Sequence, residues 1–151
     1  ERLRRIASQI TIARNSKPDI DPDGTLNGPM VMLCDEFSAS DGDIVAYRFK
    51  FYKLGKVVGK RTWGGVVGIR GTLPFVDGGV LNKPEFSRYD LEGKEWIIEG
   101  VGVEPDIIVD NDPYLEFTGT DQQLNKAIEV ILEDLKTKGK KIPNPPPDPI
   151  K

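Results

Sequence analysis

The stretch "DEFSASDGDIVAYRFKFY", residues 35–52, joins a cluster of small and acidic residues to a long apolar segment. The run just before it, "MVMLC", predicts a short buried strand. The residues after Ser40 predict a helix that runs to about Leu54 and stops at Gly55, because glycine often follows the C-terminus of a helix. A strand, a tight turn and a helix are therefore expected to meet at Ser40.

The predicted helix is apolar around most of its circumference. Its polar stripe is narrow and consists of Asp43, Ala46, Lys50 and Lys53. The other positions are mainly Ile44, Val45, Tyr47, Phe49, Phe51 and Tyr52. A helix with so narrow a polar face is typically buried, so we expect it to pack against a sheet or a second domain.

Ser40 has two interpretations. A helix N-terminus carries unpaired N–H groups and a partial positive charge, so Ser40 could present a nucleophilic hydroxyl while the N–H of Asp41 stabilises an oxyanion. Alternatively Ser40 only caps the helix, because Ser38 to Asp41 and Ser40 to Asp43 both have capping-box spacing, with Asp in place of Glu. The G-x-S-x-G signature of a nucleophile elbow is absent, and the chain has no histidine to act as a base.

The remaining segments alternate between helical and strand-like patterns. Leu3, Ile6, Ala7 and Ile10 predict an amphipathic helix over residues 1 to about 13. Residues 15–29 are rich in Pro, Asp, Asn and Gly and predict a loop. Short β-like pieces separated by glycine turns fill residues 56–110: "KVVGKR", "GVVGIR", "LPFVD", "GGVLNKPEFSRYD", "KEWIIEG" and "DIIVD".

A final helix is predicted after Thr120, which has capping-box spacing with Gln123. An apolar stripe follows at helical spacing: Leu124, Ala127, Ile128, Ile131, Leu132 and Leu135. The order of elements predicts one mixed α/β domain over residues 1–138, with a Pro-rich tail over residues 139–151.

Composition limits the classes of partner. The 151 residues are enough for one domain, and a net charge of −3 gives no electrostatic case for nucleic acid or a membrane surface as partner. No apolar run approaches the roughly 20 residues that cross a bilayer. The N-terminus lacks both an initiator Met and an apolar signal core, so we expect a fragment of a longer protein. The single cysteine, Cys34, is expected to be a buried strand thiol.

Three further motifs are more typical of structure than of ligand binding. "DIDPDG", residues 19–24, resembles a calcium loop but lacks the final bidentate Glu. Trp63-Gly64-Gly65 matches no phosphate-binding signature, and its glycines are expected to let strands turn beside the site. Trp63 and Trp96 are expected to be core or cleft-wall aromatics. We therefore expect no metal and no cofactor.

Several blocks carry a resemblance to a known family. They are "DEFSASDGDIVAYRFKFYKLGKVVGKRTWGGVVGI", "FVDGG", "KPEF" and "IIEGVGVEPDIIVDNDP", in this order between about Gly28 and Leu135. Together they resemble the C-terminal protease domain of tricorn-type serine peptidases, relatives of the carboxy-terminal processing proteases. The resemblance implies an α/β fold with a mixed sheet, ClpP/crotonase-like, with helices packed on the sheet. It also implies serine-type hydrolysis of peptides or unfolded polypeptide.

The resemblance assigns three catalytic residues. Ser40 corresponds to the family's nucleophile, and the N–H of Asp41 corresponds to one oxyanion donor. Glu99, in "EGVGVEPD", corresponds to the glutamate that supports the catalytic histidine through a second serine. From the residues alone, Glu99 would be a solvated carboxylate at the end of a strand.

The chain departs from related patterns at two points. Processing proteases with a Ser-Lys dyad have their lysine where this chain has Gly65, and neither Lys60 nor Arg61 is a suitable substitute. In the tricorn arrangement the histidine, its serine partner and the second oxyanion glycine come from an upstream segment. We therefore expect the isolated chain to be inactive. Thr11 lies near the position of the family's acidic specificity residue, so a preference for basic side chains is not implied.

Competing functions stay open at this stage. A non-catalytic peptide-binding or scaffold domain would explain the missing histidine, and fold analogy alone would also admit acyl-CoA chemistry. Expected partners are peptide substrates, upstream domains of the same parent chain and further copies of the parent in a homo-oligomer. The resemblance implies a cytoplasmic protein, or a periplasmic one if the parent carries a signal peptide.

Overall fold

A computed structural model describes residues 2–71 and 73–147. Within them, ten strands and helices follow one another along the chain: β1 (Gln9–Thr11), β2 (Asp19–Asp21), β3 (Met30–Cys34), α1 (Asp41–Phe51), β4 (Gly55–Gly59), β5 (Gly68–Arg70), β6 (Lys83–Phe86), β7 (Ile107–Ile108), α2 (Pro113–Phe117) and α3 (Gln122–Lys138). Both parallel and antiparallel sheets are present, so the predicted mixed α/β class is confirmed. None of the described helices is long and apolar enough to span a bilayer.

The central sheet is parallel and has the strand order β3-β4-β7. Met32 lies opposite Val57, and Val58 lies opposite Ile107. Val57 and Val58 are completely buried, as expected for β-branched residues in the middle strand of a parallel sheet. The predicted strand "MVMLC" is confirmed as β3, but the expectation that it is buried holds only for Cys34, and Leu33 is exposed.

Helix α1 connects β3 to β4 and contributes to both apolar core clusters. One cluster contains Ile44, Ala46, Val66, Ile98 and Val103. The other contains Cys34, Phe49 and Val57. Cys34 is buried, so the prediction of a buried strand thiol is confirmed, and this burial raises the pKa of the thiol to about 11. Because α1 packs on both clusters, its N-terminus is held in a defined position.

The predicted helix over residues 1–13 is wrong. Glu1 lies outside the described residues, and Arg2–Arg4 form only a short 3₁₀ turn. Residues 9–11 form the strand β1, which pairs antiparallel with β2. Strand β2 in turn interrupts the loop predicted over residues 15–29. Leu3 and Ile6 are 47% and 81% exposed. Helical spacing of apolar residues stabilises a helix only where that face is buried, and the described structure buries no such face here.

Helix α1 differs from its prediction at its end and in its orientation. It stops at Phe51, and the chain turns at Lys53 with φ +53°. Gly55 begins β4, where an added Cβ would lie 1.8 Å from the carbonyl oxygen of Met30, so the glycine permits close strand pairing rather than ending the helix. Part of the predicted polar stripe faces inward, because Asp43 and Ala46 are both 0% exposed.

The β-like pieces and α3 are confirmed in part. "LPFVD" forms no strand, and "KEWIIEG" contributes only a bridge between Trp96 and Tyr89. The helix predicted after Thr120 is confirmed as α3, but Asp121 is its N-cap and accepts a hydrogen bond from the N–H of Leu124. Of the predicted stripe on α3, Ala127 is the buried member. Residues 139–147 contain no helix or strand.

Candidate active site

Ser40 occupies a strained turn between β3 and α1. Its backbone has φ +55° and ψ −109°, whereas an ordinary N-cap residue is extended. Non-glycine residues seldom adopt positive φ, and strain of this kind concentrates at functional sites. Ser40 is exposed rather than enclosed by packing, as an attacking hydroxyl requires.

The capping interpretation of Ser40 is supported by a capping box in which both bonds are present. Ser40 and Asp43 stand at capping-box positions, and Asp43 Oδ2 accepts a hydrogen bond from the N–H of Ser40 at 3.0 Å. In the reciprocal bond, the side chain of Ser40 accepts from the backbone N–H of Asp43. The Asp43 carboxylate and the Ser40 side chain thus both help to close the turn, while the positive φ of Ser40 still sets it apart from an ordinary N-cap.

Asp41 is the first residue of α1, so its backbone N–H has no partner within the helix. Its side chain is exposed and lines a groove of about 590 Å³. The wall of that groove includes Ile44, Val45 and Phe49 from the same helix. A polypeptide lying in the groove would therefore pass the positive end of α1.

Asp43 is a completely buried carboxylate that receives three backbone hydrogen bonds. Besides Ser40, the donors are Gly64 to Oδ1 at 2.8 Å and Gly65 to Oδ2 at 3.2 Å. The helical pattern predicted Asp43 within a narrow polar stripe, not in the interior. The signal for its actual environment was the capping-box spacing from Ser40, but the two distant donors have no local signature.

Glu99 does not project freely into solvent. Its Oε2 accepts hydrogen bonds from the N–H of Val66 at 2.6 Å and of Val67 at 2.8 Å. The preceding residue, Ile98, is 3% exposed and has φ +71°, which is unusual for a β-branched residue. Glu99 is therefore bonded to the backbone of segment 64–67. The same segment is bonded to Asp43, which also holds the turn at Ser40.

The segment around Gly64 approaches the Glu99 turn closely. The carbonyl of Gly64 accepts a hydrogen bond from the N–H of Gly100 at 2.7 Å. A Cβ at Gly64 would lie 2.6 Å from the backbone N of Gly102, and one at Gly102 would lie 2.3 Å from the carbonyl oxygen of Thr62. These contacts leave no room for side chains, so the glycines permit two backbone segments to meet.

Lys60 is poorly suited to act as a base. Its Nζ lies 2.7 Å from Glu36 Oε1 and 3.2 Å from Asp110 Oδ1. The hydrogen bond to Glu36, followed by the one to Asp110, raises the pKa of Lys60. An ammonium group with a raised pKa stays protonated near neutral pH, so these contacts support the exclusion of Lys60 as the base.

The tryptophans are not core residues. Trp63 and Trp96 are 62% and 70% exposed, which corrects the expectation of core packing. Trp96 stands edge-on to Tyr89 and lines a groove of about 360 Å³, so it is a wall residue. The ring of Trp63 lies over Gly65, where an added Cβ would come within 2.0 Å of it.

The carboxylates of Asp19 and Asp21 in "DIDPDG" accept hydrogen bonds from neighbouring protein groups. Asp21 Oδ2 accepts hydrogen bonds from the side chains of Gln9 and Thr11 across the β1–β2 pair. Over residues 2–71 and 73–147, His, Cys, Asp and Glu form no group of three or more that could hold a metal ion.

Comparison with known proteins gives consistent results. The tricorn protease of Thermoplasma volcanium is 41% identical over 114 residues, covering 76% of this chain and 11% of the relative. Tricorn protease homolog 1 of Streptomyces coelicolor is 39% identical over 143 residues, covering 95% of this chain and 13% of the relative. A crystal structure of tricorn protease has a TM-score of 0.84 at 33% identity, covering 90% of this chain and 13% of the other.

These matches confirm the resemblance to tricorn-type peptidases that the sequence blocks indicated. The chain spans little more than a tenth of the length of these relatives. The sequence pattern of peptidase family S41 matches residues 4–109, which is well over half of the 151 residues. The chain therefore belongs to peptidase family S41.

Proposed function

We propose that this chain carries the nucleophile and one oxyanion donor of a serine endopeptidase. Ser40 would attack a peptide carbonyl, and the N–H of Asp41 would stabilise the oxyanion that forms. The single observation that carries the proposal is the exposed Ser40 at φ +55°, at the N-cap of α1. Membership of family S41 and the tricorn-type relatives support it.

The base must come from outside this chain, because its sequence contains no histidine. In the proposed reaction a histidine from an upstream segment of the parent takes the Ser40 hydroxyl proton as the Oγ–carbon bond forms. The same proton passes to the leaving amine when the peptide bond breaks. Water then attacks the acyl-enzyme, releases the new carboxyl group and restores the Ser40 hydroxyl.

Glu99 is proposed to support that histidine through a second serine. The hydrogen bonds from Val66 and Val67 both reach Oε2. A carboxylate oxygen pair offers about four acceptor positions, so Glu99 retains acceptor capacity for such a partner. Its fixed backbone contacts would hold the carboxylate in one orientation.

The proposal predicts that Ser40 reacts only when the histidine-bearing segment is present. An alcohol without a base is a weak nucleophile, so the isolated chain should neither hydrolyse a fluorogenic peptide nor react with a serine-directed phosphonate. The full-length protein should do both, and Ser40→Ala should reduce its activity by several orders of magnitude. Ser87→Ala, at another exposed serine, serves as the control and should retain activity.

Two results would contradict this proposal. Strong labelling of Ser40 in the isolated chain would refute the external base. Absence of hydrolysis and labelling in the full-length protein would favour the alternative, a peptide-binding or scaffold domain that keeps the fold without the chemistry. The lack of histidine in this chain favours that alternative.

We also propose a ClpP/crotonase-like core over residues 1–138 and an extended tail over 139–151. The parallel sheet with α1 and α3 supports this assignment, and a superposition of the full-length structure on that fold would test it. Limited proteolysis should cut first within 139–147, which contain no helix or strand. Initial cleavage inside α3 would contradict the boundary.

The proposed partners are peptide or unfolded polypeptide substrates, upstream domains and further copies of the parent in a homo-oligomer. Apolar side chains of α3 stay partly exposed, including Leu132 at 55%, and are available to pack against such neighbours. A monomeric mass for the full-length protein in light scattering would contradict the homo-oligomer.

A further inference from the structure

Asp43 is a charged side chain with no access to solvent, and it takes no part in the proposed chemical steps. Burying a carboxylate is unfavourable unless hydrogen bonds replace its hydration. Here three backbone N–H groups do so: those of Ser40, Gly64 and Gly65. The arrangement therefore depends on two chain segments being held in register.

Helix capping alone does not account for these contacts. Of the three bonds to the Asp43 carboxylate, a capping box accounts only for the one from the N–H of Ser40. The donors at Gly64 and Gly65 belong to a turn 21 and 22 residues further along the chain. Asp43 therefore connects the Ser40 turn to a segment that has no helical relationship to it.

The same segment also holds Glu99. The four consecutive N–H groups of residues 64–67 all donate to carboxylates, the first two to Asp43 and the last two to Glu99. A short piece of backbone thus sets the position of the Ser40 turn relative to Glu99. Displacing its first half would change the geometry of both proposed catalytic groups.

Ser40 needs such a restraint because its conformation is strained. Positive φ at a non-glycine residue is maintained only where the surroundings hold it. The bond from the N–H of Ser40 to Asp43 Oδ2 restrains this residue directly, beside the helical bond from the N–H of Ile44 to the Ser40 carbonyl. The orientation of the next N–H, that of Asp41, follows from the same backbone.

We propose that Asp43 is a positioning residue for the peptidase reaction: it holds Ser40 and the N–H of Asp41 in attacking geometry against the segment that carries Glu99. This inference rests on the function proposed above. It assigns Asp43 no contact with the substrate. The carboxylate acts through the three backbone groups that it fixes.

The test is Asp43→Asn in the full-length protein. An amide has the same shape but only one oxygen, so its NH₂ group must face either Gly64 or the pair formed by Ser40 and Gly65. We expect kcat and the rate of phosphonate labelling to fall on the order of 100-fold, because small misplacements of reacting groups have effects of this size. KM should change little, since the groove along α1 is untouched.

Asp106→Asn is the matched control. Asp106 Oδ2 also accepts a backbone hydrogen bond, from Val57 at 2.8 Å, but it lies outside the Ser40 network. The same chemical change there should leave kcat unaltered. In the 151-residue chain, NMR should show faster amide exchange at Ser40, Gly64 and Gly65 for Asp43→Asn and not for Asp106→Asn.

The outcomes separate the two proposals. Wild-type kcat and labelling in a folded Asp43→Asn protein would overturn the positioning role and leave the peptidase proposal intact. Full activity in Ser40→Ala would overturn the peptidase proposal and the positioning role together. Asp43→Ser provides a second, smaller variant, and failure of both variants to fold would assign Asp43 a purely structural role instead.

Discussion

At the scale of single residues, two strained backbone positions lie at or beside the proposed catalytic groups. Ser40, the proposed nucleophile, has φ +55°, and Ile98, the residue before Glu99, has φ +71°. Positive φ costs roughly 1–2 kcal/mol for a residue with a Cβ. Ile98 is nonetheless held there, because its side chain is buried in a core cluster with Ile44 and Val66.

Alanine substitutions at Gly100 and Gly64 would measure how much the close backbone packing beside Glu99 limits side-chain size. Gly100, at φ +75°, has nothing within 4 Å of an added Cβ, so Gly100→Ala should lower the free energy of unfolding by about 1–2 kcal/mol through strain alone. Gly64, at φ +87°, would place its Cβ 2.6 Å from the N of Gly102. Gly64→Ala should therefore cost roughly 1–3 kcal/mol more. Urea denaturation of both variants tests this, and equal losses would contradict the close approach.

At the scale of elements, α1 links the core to the site. Its body places Ala46 in one core cluster and Phe49 in the other, while its first turn carries Asp41 and the buried Asp43. A shift of the helix would therefore move the proposed oxyanion donor. By contrast, α3 begins at Gln122, and its N-cap Asp121 has the ordinary extended backbone and side-chain hydrogen bond.

The N-cap of α3 should make a pH-dependent contribution to stability. Hydrogen bonds from the N–H of Leu124, and then from the side chain of Asn111, lower the pKa of Asp121 below its usual 3.8. A lowered folded-state pKa means that the contribution is present above the unfolded pKa and is lost as pH falls through the folded value. Stability from Asp121 should thus be complete at pH 7 and decline below about pH 4.

Asp121→Ala should lower the free energy of unfolding by about 1 kcal/mol at pH 7. Asp121→Asn keeps a capping oxygen and should lose less. The difference between wild type and Asp121→Asn should shrink as pH falls, because the protonated aspartic acid no longer carries its charge. Thermal unfolding measured across pH 3–7 would check this, and a difference that grows toward low pH would contradict it.

At the scale of the whole molecule, stability is unevenly distributed among the three sheets. The parallel sheet contains the completely buried Val57 and Val58, together with the buried Cys34. The β1–β2 and β5–β6 pairs contain no residue classed as buried among those the structure describes. These hairpins therefore depend mainly on their own cross-strand pairing.

Hydrogen exchange should reveal this difference. Amides of β3, β4 and α1 should exchange slowest, at the rate of global unfolding, while those of β1–β2 and β5–β6 should open locally and exchange much faster. Residues 139–147, which contain no helix or strand, provide an unprotected reference. Mass spectrometry of proteolytic fragments can measure this, and uniform protection across the three sheets would contradict it.

Local patterns were sufficient for several parts of this protein. The apolar run 30–34, the helix that begins after Ser40 and the periodic helix ending at Lys138 all follow from neighbouring residues, because strand and helix periodicity act over a few positions. The blocks around Ser40 and Glu99 also carried the family resemblance, which the matches confirm. The same periodicity failed for residues 1–13, where no described face buries the apolar side chains.

The sequence by itself thus determined the class of fold, the family and the junction of strand and helix at Ser40. Only the tertiary structure decided that Asp43 points inward, that Glu99 receives the N–H groups of Val66 and Val67, and that Gly55 serves strand pairing. These features require groups 21 to 33 residues apart to meet within hydrogen-bonding distance. Such long-range contacts depend on how whole helices and strands pack, so a local pattern of residues does not predict them.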